Sequence, residues 1–305
     1  MDLRQLAALV AVAEHRSFSA AADALHTVQS NVSTHVARLE KELGVQLIDR
    51  QSGQLTHEGQ AVVDRARRIQ AELDALVSDV AALRDEVVGT VRLGVIGTTA
   101  RWLVPPLVDR LAEEYPKVRL IVYEATSVNL EPRLANSQLD LAVVNLPLPG
   151  DDLVGRPLFD EDLVLVLSHD HPLAKHNTVK MADLDGVALL LPAPGTSLRD
   201  DIDRAAADSG VVLLPKAELD GVRLIASLTF DGHGPAILPA TGVPDRLAGS
   251  FRRVNVEGLP RRQVAVAMRR RGLPTQPTKA VLAVLDELIT SDVGRRFGIH
   301  PPAEQ

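Results

Sequence analysis

The chain has 305 residues, 46% of them hydrophobic and 24% charged, which is enough for two or three compact units each with its own core. It contains no cysteine, which excludes disulfides, thiolate metal sites and cysteine nucleophiles and fits a reducing compartment; the net charge of -7 argues against attachment to nucleic acid by bulk positive charge. No apolar run approaches the ~20 residues that span a bilayer, and Met1-Asp2-Leu3-Arg4-Gln5 lacks the basic and apolar regions of a secretory signal, so no membrane partner and a cytoplasmic location are expected.

Leu3, Leu6, Leu9, Val10 and Ala13 recur at helical spacing behind Asp2, a suitable cap, and this first helix is expected to end near His15-Arg16. Ser17-Phe18-Ser19 interrupts it, with Ser19 as the expected cap of a short second helix over 20–25. His26-Thr27-Val28 makes a tight turn, and a third helix runs from about Gln29 to Leu43, where Gly44 supplies the stop. Its apolar face is Val32, Val36, Leu39 and Leu43. Its other face carries Gln29, Ser30, Asn31, Ser33, Thr34, His35 and Arg38, where a solvated surface would be dominated by Lys and Glu. Amide side chains bond adenine bidentately, and hydroxyls bond bases or phosphate oxygens. Two short helices joined by a three-residue turn, the second polar at its start, are the layout of a helix-turn-helix, although a plain three-helix bundle with a polar cap has the same periodicity. Residues 1–57 hold five basic and six acidic side chains, a net of -1, so the pattern and not the charge points to DNA.

The runs Ala21-Ala22-Asp23-Ala24-Leu25-His26, Gln29-Ser30-Asn31-Val32-Ser33, Leu39-Glu40-Lys41-Glu42-Leu43-Gly44-Val45-Gln46-Leu47-Ile48-Asp49-Arg50 and Leu55-Thr56-His57-Glu58-Gly59 are collinear over about sixty residues. This stretch resembles the LysR-type transcriptional regulator family. The resemblance implies a winged helix-turn-helix over 1–58 that binds double-stranded DNA, with Gln29, Ser30, Asn31, Ser33, Thr34, His35 and Arg38 on the recognition helix and Arg50 as the main cation of the wing; Ser33 and Arg38 are assigned to phosphate. Two departures stand out. Val28 occupies the position of the family's hydroxyl cap, so Thr27 is expected to cap one residue early. The wing, Gln51-Ser52-Gly53-Gln54-Leu55 between Arg50 and Thr56, is short and lacks extra arginines, so a shallow salt dependence is expected.

From Thr56 onward, Val62, Ala66, Ile69, Leu73, Leu76, Val80, Leu83 and Val87 alternate steps of four and three, a heptad seam flanked by Asp64, Arg65, Arg67, Arg68, Glu72, Asp74, Arg84, Asp85 and Glu86. A rod over 59–88, about 45 Å long, is expected to pair with a second copy, parallel or antiparallel, in preference to burying its seam against the chain's own globular body, and to end at Gly89-Thr90. In the resembling family this helix is the dimerisation linker, which implies a homodimer or homotetramer.

Beyond it, strands and helices alternate: 91–96 extended, 102–115 helical, 118–123 extended, 128–138 helical, 139–145 extended. A second lobe starts with a strand over 164–168 and continues with strands over 187–191, 211–219 and 236–239 and a helix over 198–209. A strand over 264–268 and a helix over 277–290 return to the first lobe. The expected fold is therefore α + α/β: winged helix-turn-helix (1–58), coiled-coil linker (59–88) and a two-lobed effector domain (89–305) of the type 2 periplasmic-binding-protein fold that the family resemblance implies. Its lobe I covers 89–161 and 267–295, and lobe II covers 162–266.

Ligands of open α/β sheets sit beyond the C-terminal strand ends. The segments expected there are Gly97-Thr98-Thr99, Ala125-Thr126-Ser127, Asn145-Leu146-Pro147, Pro194-Gly195-Thr196-Ser197 and Asp231-Gly232-His233-Gly234. Thr98-Thr99, Ser127 and Thr196-Ser197 place hydroxyls just before a helix, where free N–H groups and the dipole favour an anion. The expected effector site is Thr98, Thr99, Ser127, Asn145, Pro147, Thr196, Ser197 and His233, with a carboxylate or similar group near Thr98, Thr99 and Ser127. Each hydroxyl alone reads equally as a plain N-cap. His169, Asp170, His171 and His176 do not share a helix face, so no metal is expected. No Gly-rich phosphate loop, GxSxG or cleft pair of acids is present, so no cofactor and no catalytic residue is assigned. A DNA-binding regulator with a small-molecule effector is the leading expectation. A solute-binding protein and a two-lobed α/β enzyme are the alternatives.

Overall fold

The computed structural model describes residues 1–50, 52–84, 86–243, 251–293 and 295–303; Gln51 of the short wing and Asp85 on the rod's charged flank lie outside the described residues. The chain divides into two compact units, one of Met1–Glu86 with Ala135–Gln138 and one of Val87–Leu134 with Leu139–Gln305.

In the first unit, α1 (Leu3–His15) starts at a capping box. Asp2 accepts from the Gln5 backbone N–H while the Gln5 side chain accepts from that of Asp2. Helix α2 (Phe18–Ala24) begins earlier than expected, because Ser17 and not Ser19 accepts from Ala20 N. Helix α3 (Gln29–Leu43) ends on Gly44 at φ 71°, as its sequence demands. Thr27 does not cap it. Val28 is the N-cap residue and makes no side-chain cap bond, while Thr27 Oγ1 accepts from Asn31 Nδ2. Leu6, Leu9, Val10, Ala21, Val32, Val36 and Leu39 make the core.

The wing is held by one antiparallel bridge, Ile48 to Leu55, and its first strand is tied to α3 by Glu40, whose Oε1 accepts from Leu47 N at 2.8 Å and Ile48 N at 3.2 Å. Helix α4 (His57–Ala82) is capped by Thr56. Its first turns belong to the helix-turn-helix: Val63 and Ala66 are fully buried in that core. The seam from Ile69 through Leu73, Leu76, Val80 and Leu83 is exposed along the rest of its length, Leu76 by 60% and Leu83 by 86%. The helix is shorter than the sequence suggests. At 26 residues it spans ~39 Å, and Val87 lies beyond it, while Gly89 and Thr90 open a strand instead of ending the rod.

The second unit holds two six-stranded sheets. Lobe I carries β1 (Gly89–Val95), β2 (Val118–Glu124), β3 (Leu141–Asn145), β4 (Leu153–Glu161), β11 (Arg262–Arg269) and β12 (Ile299–His300) in the order β12-β4-β11-β3-β1-β2. Strands β1, β2 and β3 are parallel; β11 runs antiparallel to β3 and β4. Helices α5 (Gly97–Glu114), α6 (Ser127–Ala135) and α9 (Gln276–Asp292) accompany this sheet. Lobe II carries β5 (Leu163–Ser168), β6 (Thr178–Lys180), β7 (Ala188–Pro192), β8 (Leu214–Leu219), β9 (Ala236–Pro239) and β10 (Phe251–Glu257) in the order β6-β10-β5-β9-β7-β8, with α7 (Ser197–Asp208) and α8 (Val222–Phe230). Strand β5 is an unbroken apolar run because both its faces are buried: Leu163, Leu165 and Leu167 pack with Leu198 and Ile202, while Val164 and Val166 pack with Ile225 and Leu238.

The return to lobe I comes earlier than the expected residue 267, since β11 begins at Arg262, and lobe I extends past residue 295 through β12. Strand β4 escapes the sequence pattern because it contains Gly155 and Pro157. Proline is tolerated there because the β4–β11 register shifts between Val264 and Ala265, a bulge that breaks the regular ladder.

The lobes are joined through a buried ion pair. Glu161, fully buried at the end of β4, accepts from Arg262 Nε at 2.7 Å at the start of β11. The other Glu161 oxygen accepts from Thr241 N of lobe II at 2.8 Å and from its hydroxyl. Arg262 Nη2 also donates to Thr98 Oγ1 at 2.6 Å in the first turn of α5. Every charged group is thereby matched, the condition under which a buried pair is tolerated.

A Cβ at Gly59 would lie 2.0 Å from the Leu47 carbonyl oxygen, so Gly59→Ala is expected to lower the first unit's stability by about 1–3 kcal/mol in urea unfolding. Arg262→Met strands the Glu161 carboxylate and is expected to cost the second unit about 3–5 kcal/mol; adding Glu161→Gln should recover much of that loss.

Candidate nucleic-acid interface and ligand cleft

Helix α3 presents Gln29, Ser30, Asn31, Ser33, Thr34 and Arg38 to solvent, and Arg50 is exposed beside the wing. His35 is half-buried, with a buried Nδ1 that has no partner, so it sits at the margin of this surface. Asn31 is oriented by its bond to Thr27, and Thr34 donates its hydroxyl back to Ser30 O at 2.7 Å. The absence of a side-chain cap at Val28 leaves the first turn of α3 suited to a phosphate oxygen. Exposed cations on this face are few, in line with the acidic count of the sequence.

In the second unit, helices α5 and α6 start directly after β1 and β2, so their N-termini converge with the end of β3. Ser127 Oγ accepts from Asn145 N at 3.0 Å and ties the α6 start to the β3 end. Thr99 is fully buried, and its Oγ1 has no hydrogen-bond partner; Asn145 Oδ1 is likewise buried and unpartnered. Thr98 and Thr99 lie inside the first turn of α5 and not before the helix, because α5 begins at Gly97 and not near residue 102. The Thr98 hydroxyl accepts from Arg262 and is thereby tied to the interlobe junction, as Ser127 is tied to the β3 end.

Lobe II supplies less than expected. Thr196 is the N-cap of α7, accepting from Arg199 N and donating to Ala193 O, while Ser197 is exposed in the first turn. His233 is exposed and falls at the wrong end of the sheet: its loop leads into β9, and a Cβ at neighbouring Gly234 would lie 3.8 Å from the carbonyl of Ala188 at the start of β7. Thr196 and Ser197 follow the C-terminal end of that same strand. Pro147 is exposed after a cis bond to Leu146. His171, part of the rejected histidine cluster, uses Nδ1 to accept from Leu173 N, and burial holds its pKa below the usual histidine range.

The charged groups that close this region stand outside the sequence-expected site. Glu161, Arg262 and Thr241 form the junction described above. Glu124 at the end of β2 pairs with Arg223 of α8, which joins the lobes a second time. Gly97 lies beneath that pair, where a Cβ would approach Glu124 Oε1 to 2.9 Å. The available signals were the runs Asp160-Glu161-Asp162 and Arg261-Arg262, charges of opposite sign at the two places where the chain passes between lobes.

Comparison with known proteins agrees with this anatomy. Residues 3–60 match the bacterial regulatory helix-turn-helix protein model of the lysR family, and residues 84–289 match the LysR substrate binding domain. The chain is 30% identical over 301 residues, 97% of each chain, to the DNA-binding transcriptional dual regulator OxyR of Escherichia coli K12. It is 36% identical over 276 residues, 88% of each, to a probable hydrogen peroxide-inducible genes activator of Streptomyces viridosporus. A full-length OxyR variant from Pseudomonas aeruginosa superposes with a TM-score of 0.79 at 25% identity, covering 100% of this chain and 99% of that one. These relatives are regulators and not enzymes. Both halves match, in order and over nearly the whole length: the chain belongs to the LysR family of DNA-binding, oligomeric transcriptional regulators with an effector-binding domain.

Proposed function

We propose that this regulator is controlled by reversible, non-covalent binding of a small anionic molecule in the interlobe cleft, and not by oxidation. The observation that carries the reading is the pair of buried, unpartnered polar atoms, Thr99 Oγ1 and Asn145 Oδ1, where two helix N-termini meet. Orphaned buried polar atoms are costly, and a ligand recovers that cost by accepting from the Thr99 hydroxyl with its anionic group and donating to Asn145 Oδ1 from a neighbouring hydroxyl or amine. The dipoles of α5 and α6 favour a carboxylate at the same place. Thr99, Ser127 and Asn145 are the contacts in lobe I, with Ser197 on the facing lobe; His233 is not among them.

The names of the relatives speak of hydrogen peroxide. Reversible thiol oxidation by peroxide needs a cysteine thiolate, and this chain has no cysteine, which leaves methionine as its reversibly oxidised side chain. Its methionines are Met1, Met181 and Met268, of which Met181 is buried.

On the DNA side, Gln29, Ser30 and Asn31 read base edges, while Ser33, Thr34, Arg38 and Arg50 hold phosphates, each head contacting one half-site from the major groove. The exposed α4 seam pairs with a second copy to make the dimer that carries two reading heads. Pairing is what raises a weakly charged head to useful affinity. The partner DNA places the protein in the cytoplasm.

Leu73→Glu with Leu76→Glu should leave the fold intact, convert the oligomer to monomer in sedimentation, and weaken operator binding by about 10²–10⁴-fold in a gel-shift titration. Unchanged affinity in a proven monomer would overturn the paired-head reading. For the cleft, small mono- and dicarboxylates are compared with their neutral amides by thermal shift. A carboxylate is expected to raise the melting temperature of the native chain and to lose most of that effect in Thr99→Val; equal shifts from the amides would remove the anion. Hydrogen peroxide is expected to leave the operator footprint unchanged, and a peroxide-dependent footprint would overturn control by ligand alone.

A further inference from the structure

The three consecutive carboxylates Asp160-Glu161-Asp162 sit where β4 passes into β5, and each holds a different part of the chain. Glu161 holds Arg262 of the return passage. Asp162 holds two partners: Oδ1 accepts from Arg261 Nε at 2.7 Å, and Oδ2 lies 2.8 Å from His300 Nε2 in β12. Asp160 Oδ2 accepts from Ala303 N at 3.1 Å. The main chain repeats the pattern: Asp162 N donates to Gly298 O, and Asp162 O accepts from Ala240 N of lobe II, each at 2.9 Å.

Residues 295–303 therefore touch both lobes, although the chain enters them from α9 of lobe I. On the lobe I side, β12 pairs with β4, and the Arg296 guanidinium lies 5.1 Å from the centre of the Trp102 ring in α5. On the lobe II side, the Phe297 ring lies 5.0 Å from the Arg253 guanidinium in β10. Gly298 is pressed against the 3-10 turn Ala240–Gly242: its φ is +71°, and a Cβ there would lie 2.4 Å from Ala240 Cβ. Only glycine fits that approach at that backbone angle.

Two covalent passages alone would make a hinge free to bend about the line joining them. We propose that the C-terminal segment 295–303 is a further connection, beside the Glu161–Thr241 and Glu124–Arg223 bonds, a strap across the hinge that restrains the angle between the lobes and so sets how far the cleft opens. Its regulatory meaning rests on the cleft being the effector site. The restraint itself is independent of any ligand and can fail or stand separately.

The cysteine-free chain makes the test direct. Glu113→Cys in α5 and Asp208→Cys in α7, both at exposed positions, carry nitroxide labels in the full-length protein diluted with unlabelled chain, and pulsed electron resonance reads the interlobe distance without ligand. The comparison is between the intact strap, His300→Ala, Phe297→Ala and a chain ending at Gly298. With the strap intact a single narrow distribution is expected. His300→Ala and Phe297→Ala should broaden it, and the truncation should broaden it further and shift its mean. If the segment merely completes the lobe I sheet, the variants will melt at lower temperature with superimposable distance distributions, and the proposal is overturned. Should the truncated chain not unfold cooperatively, the two single substitutions decide by the same measurement. A carboxylate-induced thermal shift that persists in variants with broadened distributions separates this result from the identity of the ligand.

Discussion

The Glu161–Arg262 pair is the constraint on which the effector unit depends. Two ions have been taken out of water at the place where the chain passes between lobes, and they are tolerated because Thr98, Thr241 and the Thr241 backbone satisfy their remaining bonding capacity. The same set of bonds fixes the start of α5, since Thr98 belongs to its first turn, and holds the 3-10 turn of lobe II. The base of the cleft is thus assembled around a charge pair. Such a pair gives modest net stability but strict geometry. A slip of either passage leaves an ion unmatched in the interior, so the lobes have few alternative ways to meet.

Much of the DNA-binding unit is legible from the chain alone because its signals are local. Gly44 ends α3 at a positive φ, Thr56 caps α4, and the polar face of α3 is visible at helical spacing. The cap of α2 is displaced by two residues because Ser17 and Ser19 both offer a hydroxyl, and that of α3 by one because the structure places Val28, which has none, at the cap. In the effector unit, β5 is readable as a continuous apolar run, but β4 is obscured by Gly155 and Pro157, and α5 by Gly97, Pro105 and Pro106. The junction is the least legible part. Glu161 and Arg262 are 101 residues apart and look, one at a time, like ordinary surface charges. The ligand region shows the same limit: Thr98 and Thr99 are adjacent and chemically alike, yet one is bonded to the junction and the other is left unpartnered.

The resemblance to peroxide-inducible activators extends over the whole chain, and the absence of cysteine separates its chemistry from thiol oxidation. A two-lobed body with orphaned polar atoms at converging helix ends does not need a reactive side chain to respond to its surroundings. It needs a ligand that binds one interlobe arrangement better than another, which is the thermodynamic requirement for any such control.

The burial of Val63 and Ala66 inside the helix-turn-helix core gives the first unit a mechanical property. Head and rod share side chains, and Gly59 lets the rod's first turn abut the Leu47 backbone, so no soft joint separates them. The pair behaves as a stiff lever arm. With an arm of ~39 Å, a tilt of roughly 10° at the far end of the rod displaces the reading head by about 7 Å, or about two base-pair steps of DNA. A torque too small to alter either core is therefore large enough, at the tip, to move a head out of register with its half-site.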